Sequence, residues 1–205
     1  MKEILDYIEE KYRPLTVIVY GSYADGTQNA HSDFDGIAVR EAGPPCHDTG
    51  FVNGVPLDLF VYPKEHFGED PDWDEILPII HGQVVYDRDG LGARLMEGVR
   101  AYAATLPGKS PEQIREELSW CRKMLLRAGR GDPEGLFRLH WLLVDSLEIF
   151  CDGVGEPFWG PKKSLKRMES AYPEAFARYA RALKDPAALE DWIRCLEEAA
   201  GRRKL

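Results

Sequence analysis

Most of the strand-like sequence of this chain lies before the break Leu106-Pro107-Gly108-Lys109-Ser110, and after it the texture changes to helices alone. A helix over 3–11 leads into a largely apolar, valine-rich run over 15–20. Further strands are predicted over 33–39, 50–52 and 55–62, the last two joined by Asn53-Gly54, a hairpin signal. Helices over 72–80 and 91–105 complete the first part. Beyond the break, Ser110 followed by Pro111 and Gln113 makes a helix start, and Ile114, Leu118, Cys121, Leu125 and Ala128 keep to one helical face until Gly129 and Gly131. More helices are predicted over 134–150, 162–171, 174–183 and 187–200. The expectation is an α+β domain over 1–108 followed by a helical bundle over 109–205.

The net charge of −9 is unevenly held. Residues 1–108 carry 8 Lys and Arg against 19 Asp and Glu, a net of −11, whereas residues 109–205 carry 18 against 16. Polyanions are normally approached through excess lysine and arginine, so neither nucleic acid nor an anionic membrane is an expected partner, and a small cationic molecule suits the first half better. With 44% hydrophobic residues the chain is not of disordered type. No stretch approaches the roughly 20 apolar residues that span a bilayer, and the start has no signal-peptide pattern, so a cytoplasmic protein is expected. Cys46, Cys121, Cys151 and Cys195 are too scattered for a Cys-x-x-Cys site and are expected as free, mostly buried thiols. The five histidines show no zinc-binding spacing.

Chemistry concentrates in residues 17–35. The run Val17-Ile18-Val19-Tyr20 ends abruptly at Gly21, and Ser22 sits where a short helix would begin. Glycine there lets backbone amides approach a ligand, and serine can cap the helix and offer a hydroxyl. Downstream, Asp33 and Asp35 are spaced i, i+2, so in a strand both carboxylates share one face. Two such charges repel unless a cation lies between them. Magnesium fits, since it takes oxygen ligands, one or two of them protein carboxylates, and fills the rest with water and phosphate. A third acid, Asp58, interrupts the apolar strand over 55–62 and requires a partner, either a cation or an arginine.

Gly21-Ser22 followed by Ala24, Gly26 and Ser32-Asp33-Phe34-Asp35 resembles the signature of the polymerase-beta-type nucleotidyltransferase superfamily, and most of all its small members that modify kanamycin, streptomycin and lincosamides. The resemblance implies a palm-like mixed sheet for residues 1–108. It implies that Gly21 and Ser22 hold the triphosphate of ATP or another nucleotide, and that Asp33 and Asp35 bind Mg2+. It makes Asp58 a ligand of a second metal or the general base toward an acceptor hydroxyl. Catalytic residues on this basis are Asp33, Asp35 and Asp58, all three also metal ligands. Two positions depart from the family pattern: Asp25 stands where arginine is common, and Gly36 where a bulky apolar residue is common.

In the small antibiotic enzymes, helices after the catalytic domain help hold the acceptor. Here Arg138, Trp141, Asp145, Glu148 and Asp152 fall on one narrow helical stripe. Trp141 is a candidate to stack on an acceptor ring, Asp145 and Glu148 to bind its amino group, and Glu148 to serve as base in place of Asp58. A solvated outer face is the plain alternative. The basic run Lys162-Lys163-Ser164-Leu165-Lys166-Arg167 is a second candidate, for triphosphate, or else an exposed basic face.

The expected activity is magnesium-dependent transfer of a nucleoside monophosphate, AMP from ATP first, to a hydroxyl of an aminoglycoside or lincosamide-type antibiotic, with antibiotic resistance as its consequence. A protein side chain as acceptor, as in a toxin–antitoxin pair, and a degenerate nucleotide-binding module are the alternatives. The resemblance leaves the assembly, monomer or homodimer, open.

Overall fold

The structure, a computed structural model, describes residues 1–202. The chain divides into two compact units, Met1–Leu106 and Pro107–Leu205, each with its own core.

The first unit opens with α1 (Lys2–Tyr12), β1 (Thr16–Tyr20) and the single-turn α2 (Gly21–Asp25). β2 (Phe34–Arg40), β3 (Cys46–Asp48), β4 (Phe51–Val52) and β5 (Val55–Pro63) follow, then α3 (Trp73–Ile76), β6 (Gln83–Asp87) and α4 (Leu91–Thr105). The sheet runs β3-β5-β2-β1-β6, with β4 paired to β5 alone. All pairings are antiparallel except β2 with β5. β4 and β5 form the expected hairpin, because Asn53 (φ 50°) and Gly54 (φ 81°) both take the left-handed conformation that matches strand twist.

Alternation along the strands splits the apolar residues between two faces. Val17, Val19, Phe34, Leu57, Leu59 and Val61 pack beneath α1. Ile18, Ile37 and Val39 face the other way, against α4 and the segment before β6. That segment was expected as one helix over 72–80 but breaks into α3 and a 3-10 turn, Leu77–His81. Pro78 explains the break, since it lacks an N–H and crowds the preceding turn. Gly36 lies on the α1 side of β2, where a Cβ would come within 3.2 Å of Leu59 and Phe34. A bulky residue has no room there, which accounts for this departure from the family pattern.

The edge strand β3 was not anticipated. It is bolted to α1 through the buried Asp48, which accepts hydrogen bonds from Tyr12 Oη (2.6 Å), Tyr7 Oη (2.8 Å), Lys11 Nζ (2.9 Å) and the Gly50 N–H (3.0 Å). Burial alone would raise the Asp48 pKa, but the bonds from Tyr12, Lys11, Gly50 and Tyr7 outweigh it and hold the carboxyl well below the usual carboxylate range. Its stabilising effect is therefore complete above about pH 4, where an unfolded aspartate is already ionised, and is lost as pH falls toward the lower folded value. We expect the melting temperature of the parent to drop on acidification below about pH 4. Asp48→Asn should melt lower at neutral pH and show a flatter profile through that range, as thermal scans from pH 2 to 7 would report.

The second unit contains α5 (Pro111–Ala128), α6 (Pro133–Val154), α7 (Pro161–Ala171), α8 (Pro173–Ala182) and α9 (Leu189–Arg202). α5 begins with the expected capping box, Ser110 and Gln113 each bonding the other's backbone N–H. The core surrounds the fully buried Trp192, whose Nε1–H donates to Ser146 Oγ (2.8 Å). Cys121, Cys151 and Cys195 are buried free thiols, and Cys46 is exposed. No described helix is long and apolar enough to cross a membrane.

Candidate active site

At the end of β1 the chain must turn sharply away from the sheet. Gly21 does so at φ 63°, a conformation that side chains with a Cβ adopt at a cost. A second constraint acts on the same residue: a Cβ there would overlap Asp35 Oδ2 and lie 2.9 Å from Asp35 Cγ. The Asp35 carboxylate thus rests directly on the glycine. Gln83 Nε2, from β6, donates to the Ala24 carbonyl (2.7 Å) and ties α2 to the sheet. Within this turn the Ser22 and Thr27 hydroxyls are buried and have no hydrogen-bond partner. Buried polar atoms are nearly always paired, so these two hydroxyls call for a partner that the surrounding side chains and backbone do not supply.

Across the parallel pairing, Asp35 and Asp58 are register partners, while Tyr20 of β1 partners Asp35 on the other side. Tyr20, Asp35 and Asp58 point to the face that also carries Ile18 and Ile37. Asp33 lies just ahead of β2 and is exposed. The acids share one neighbourhood electrostatically: burial, then the charges of Asp58, Asp35 and Asp33, drive the Tyr20 phenol well above its ordinary pKa.

Of the expected partners, a cation or an arginine, the structure shows no arginine at Asp58 but a histidine. His47 Nε2 lies 2.5 Å from Asp58 Oδ1. Nor is Asp58 buried as its apolar surroundings suggested; its side chain is 38% exposed. Among the described residues, no three His, Cys, Asp or Glu side chains form a ready-made metal-holding group. The donor set nonetheless suits magnesium. All of it is hard oxygen: two carboxylates stand in register, the Asp35 carboxylate rests on Gly21, and the unpartnered Ser22 hydroxyl lies in the same turn. Asp25, the reversed charge at the end of α2, is exposed.

The acceptor candidates lie in the helical unit. Trp141 Nε1–H donates to Asp145 Oδ2 (2.7 Å), and its ring meets Trp120 edge-on at 5.9 Å. Asp145 and Glu148 line a cavity of about 220 Å³ together with Lys109, Glu117, Trp120 and Ile149. Lys109 pairs with Glu117 and with Asp152 (2.8 Å). Although burial opposes its charge, the bonds to Asp152 and Glu117 push the Lys109 ammonium above its ordinary pKa. Arg138 is drawn to Glu134 (2.8 Å). Of the stripe, Asp145 and Glu148 line the cavity, while Arg138 and Asp152 already have partners within this unit. Glu117 and Trp120 were missed; their i, i+3 spacing on α5 is the signal that places them on one face. On α7, Arg167 pairs with Glu156 (2.7 Å), while Lys162, Lys163 and Lys166 form no ion pair among the described residues.

Comparison with known proteins adds to this geometry. No protein of curated function matches the chain. A solved structure of a nucleotidyltransferase-like protein from Exiguobacterium sibiricum 255-15 aligns with 98% of this chain and 77% of its own, at 12% identity and a TM-score of 0.39. Residues 1–80, which carry Gly21, Ser22, Asp33, Asp35 and Asp58, match the family described as the nucleotidyltransferase domain, a likeness that points to nucleotide transfer in general.

Proposed function

We propose that this protein transfers a nucleoside monophosphate, with AMP from ATP the first candidate, to a hydroxyl of a small cationic acceptor of aminoglycoside or lincosamide type. The observation that carries the reading is the in-register pair Asp35 and Asp58, set against a glycine turn whose Ser22 hydroxyl is buried and unpartnered. Gly21 and Ser22 receive the triphosphate, and the missing Cβ gives the Asp35 carboxylate room to rest against the turn. Asp33, Asp35 and Asp58 would hold magnesium, which when bound neutralises phosphate charge. The acceptor oxygen forms a bond to the α-phosphorus in line with the phosphoanhydride bond that breaks. The electron pair of that bond departs with pyrophosphate, and the hydroxyl proton passes to the Asp58 carboxylate. What these residues contribute is mainly positioning and charge compensation.

Support for a cationic acceptor comes from the helical unit. Lys109 is an ammonium already held between carboxylates at the edge of an acidic, tryptophan-lined cavity. An amino group on an acceptor meets the same chemistry at Asp145 and Glu148.

Mass spectrometry after incubation with labelled ATP or GTP, magnesium and a panel of aminoglycosides and lincosamides tests the reading. The expected product is an acceptor heavier by one nucleoside monophosphate. A nucleotide added only to a co-purifying protein would move the acceptor to a protein side chain. If nothing is labelled, and magnesium–nucleotide leaves the melting temperature unchanged, the transferase reading is wrong.

A further inference from the structure

His47 entered no sequence motif, yet it makes the most direct contact with the candidate site. Its strand, β3, is three residues long and lies at the sheet edge, where a strand so short would ordinarily be loosely held. Two independent features hold it. On one face, Asp48 is clamped by Tyr7, Lys11 and Tyr12 of α1. On the other, the His47 ring stacks on Phe60, its cross-strand partner, with centroids 4.2 Å apart and planes within 4°. Phe60 and Asp58 lie two residues apart on β5 and so share a face. The stack fixes the plane of the imidazole, and that plane aims Nε2 at Asp58 Oδ1.

A half-exposed histidine and aspartate would gain little from pairing for stability alone, since such contacts at the surface contribute little. A strand held from both faces, with its one histidine aimed at a single carboxylate, suggests a different use. We propose that His47 is a positioning residue for Asp58: it donates Nε2–H to Oδ1, fixes the carboxylate's rotation, and leaves Oδ2 as the oxygen presented toward the nucleotide and its metal. This rests on the nucleotidyl-transfer reading. It resembles the outer-shell partners that orient metal-binding carboxylates, whose removal typically lowers metal affinity or activity about 10–100-fold.

Two variants separate the ring from its N–H. His47→Phe keeps a ring to stack on Phe60 and loses the donor, whereas His47→Gln keeps a donor at the reach of Nε2 and loses the stack. The probe is Mn2+ with a non-hydrolysable nucleoside triphosphate, followed by electron paramagnetic resonance, with no acceptor needed. The expected result is Mn2+ affinity at least about tenfold weaker in His47→Phe, with His47→Gln within about threefold of the parent and all three proteins melting within a few degrees. In a transfer assay the same order should appear in kcat/KM, His47→Phe falling by at least about tenfold and His47→Gln staying within about threefold of the parent. A parent that binds the metal–nucleotide together with a His47→Phe that binds equally well overturns the inference alone. Equal losses in both variants overturn it too, since a donor at the reach of Nε2 would then not be enough to position Asp58. A parent that binds no metal–nucleotide overturns the transfer reading, and this inference with it.

Discussion

Asp35→Asn is expected to fold as well as the parent and to transfer nucleotide more than about a hundredfold more slowly, exceeding the upper figure for losing an outer-shell partner. Asparagine matches aspartate in size, so Asp35's place over Gly21 and opposite Asp58 can be kept. What is lost is one negative charge from a group whose work is to hold a cation against phosphate. The stability change should run the other way, because like charges directly opposite on neighbouring strands destabilise a sheet. An equal or higher melting temperature with transfer abolished is therefore the signature of a functional carboxylate. A variant that transfers at the parental rate would remove Asp35 from the site.

Gly21→Ala is expected to impair the same activity by a route that has its own control. The left-handed backbone at φ 63° penalises a side chain by roughly 1–2 kcal/mol, and the new Cβ would also drive into the Asp35 carboxylate. Gly26→Ala meets the same strain, φ 68°, with nothing within 4 Å of its added Cβ. Both variants should therefore melt several degrees lower, at roughly 2–4 °C per kcal/mol for a chain of this size. Only Gly21→Ala should lose transfer, by more than about tenfold, as outer-shell disturbances do. Equal activity in the two would show that the close approach of Asp35 to the glycine has no catalytic use.

The sequence announced most of this architecture where local rules suffice. Ser110 and Gln113 cap a helix by themselves, Asn53-Gly54 turns a hairpin without help, and the β-branched run before Gly21 reads as a strand in any context. Failures fall where tertiary contacts decide. β3 consists of Cys46-His47-Asp48, three residues of no strand preference, and exists because Asp48 reaches α1 across 36 to 41 positions of chain. β6 directly follows a 3-10 turn, and its two valines were too few to stand out. The same limit applied to the candidate site. Gly21, Ser22, Asp33, Asp35 and Asp58 could be singled out by spacing and likeness, but His47 could not, because its relation to Asp58 depends on a strand that local preference does not form.

The parallel register between β2 and β5 has a consequence for how such a site can change over time. Side chains alternate with period two, so a slip of one residue in β5 would turn Asp58 into the apolar layer and bring Leu57 or Leu59 out in its place. Leu57, Leu59 and Val61, which never meet a nucleotide, therefore act as the gauge that keeps the acids opposite one another. Mutational drift over 41–45, ahead of β3, is free to alter length and composition while the gauge holds. A polar substitution at Leu59 would threaten the alignment of the chemistry from the far side of the sheet.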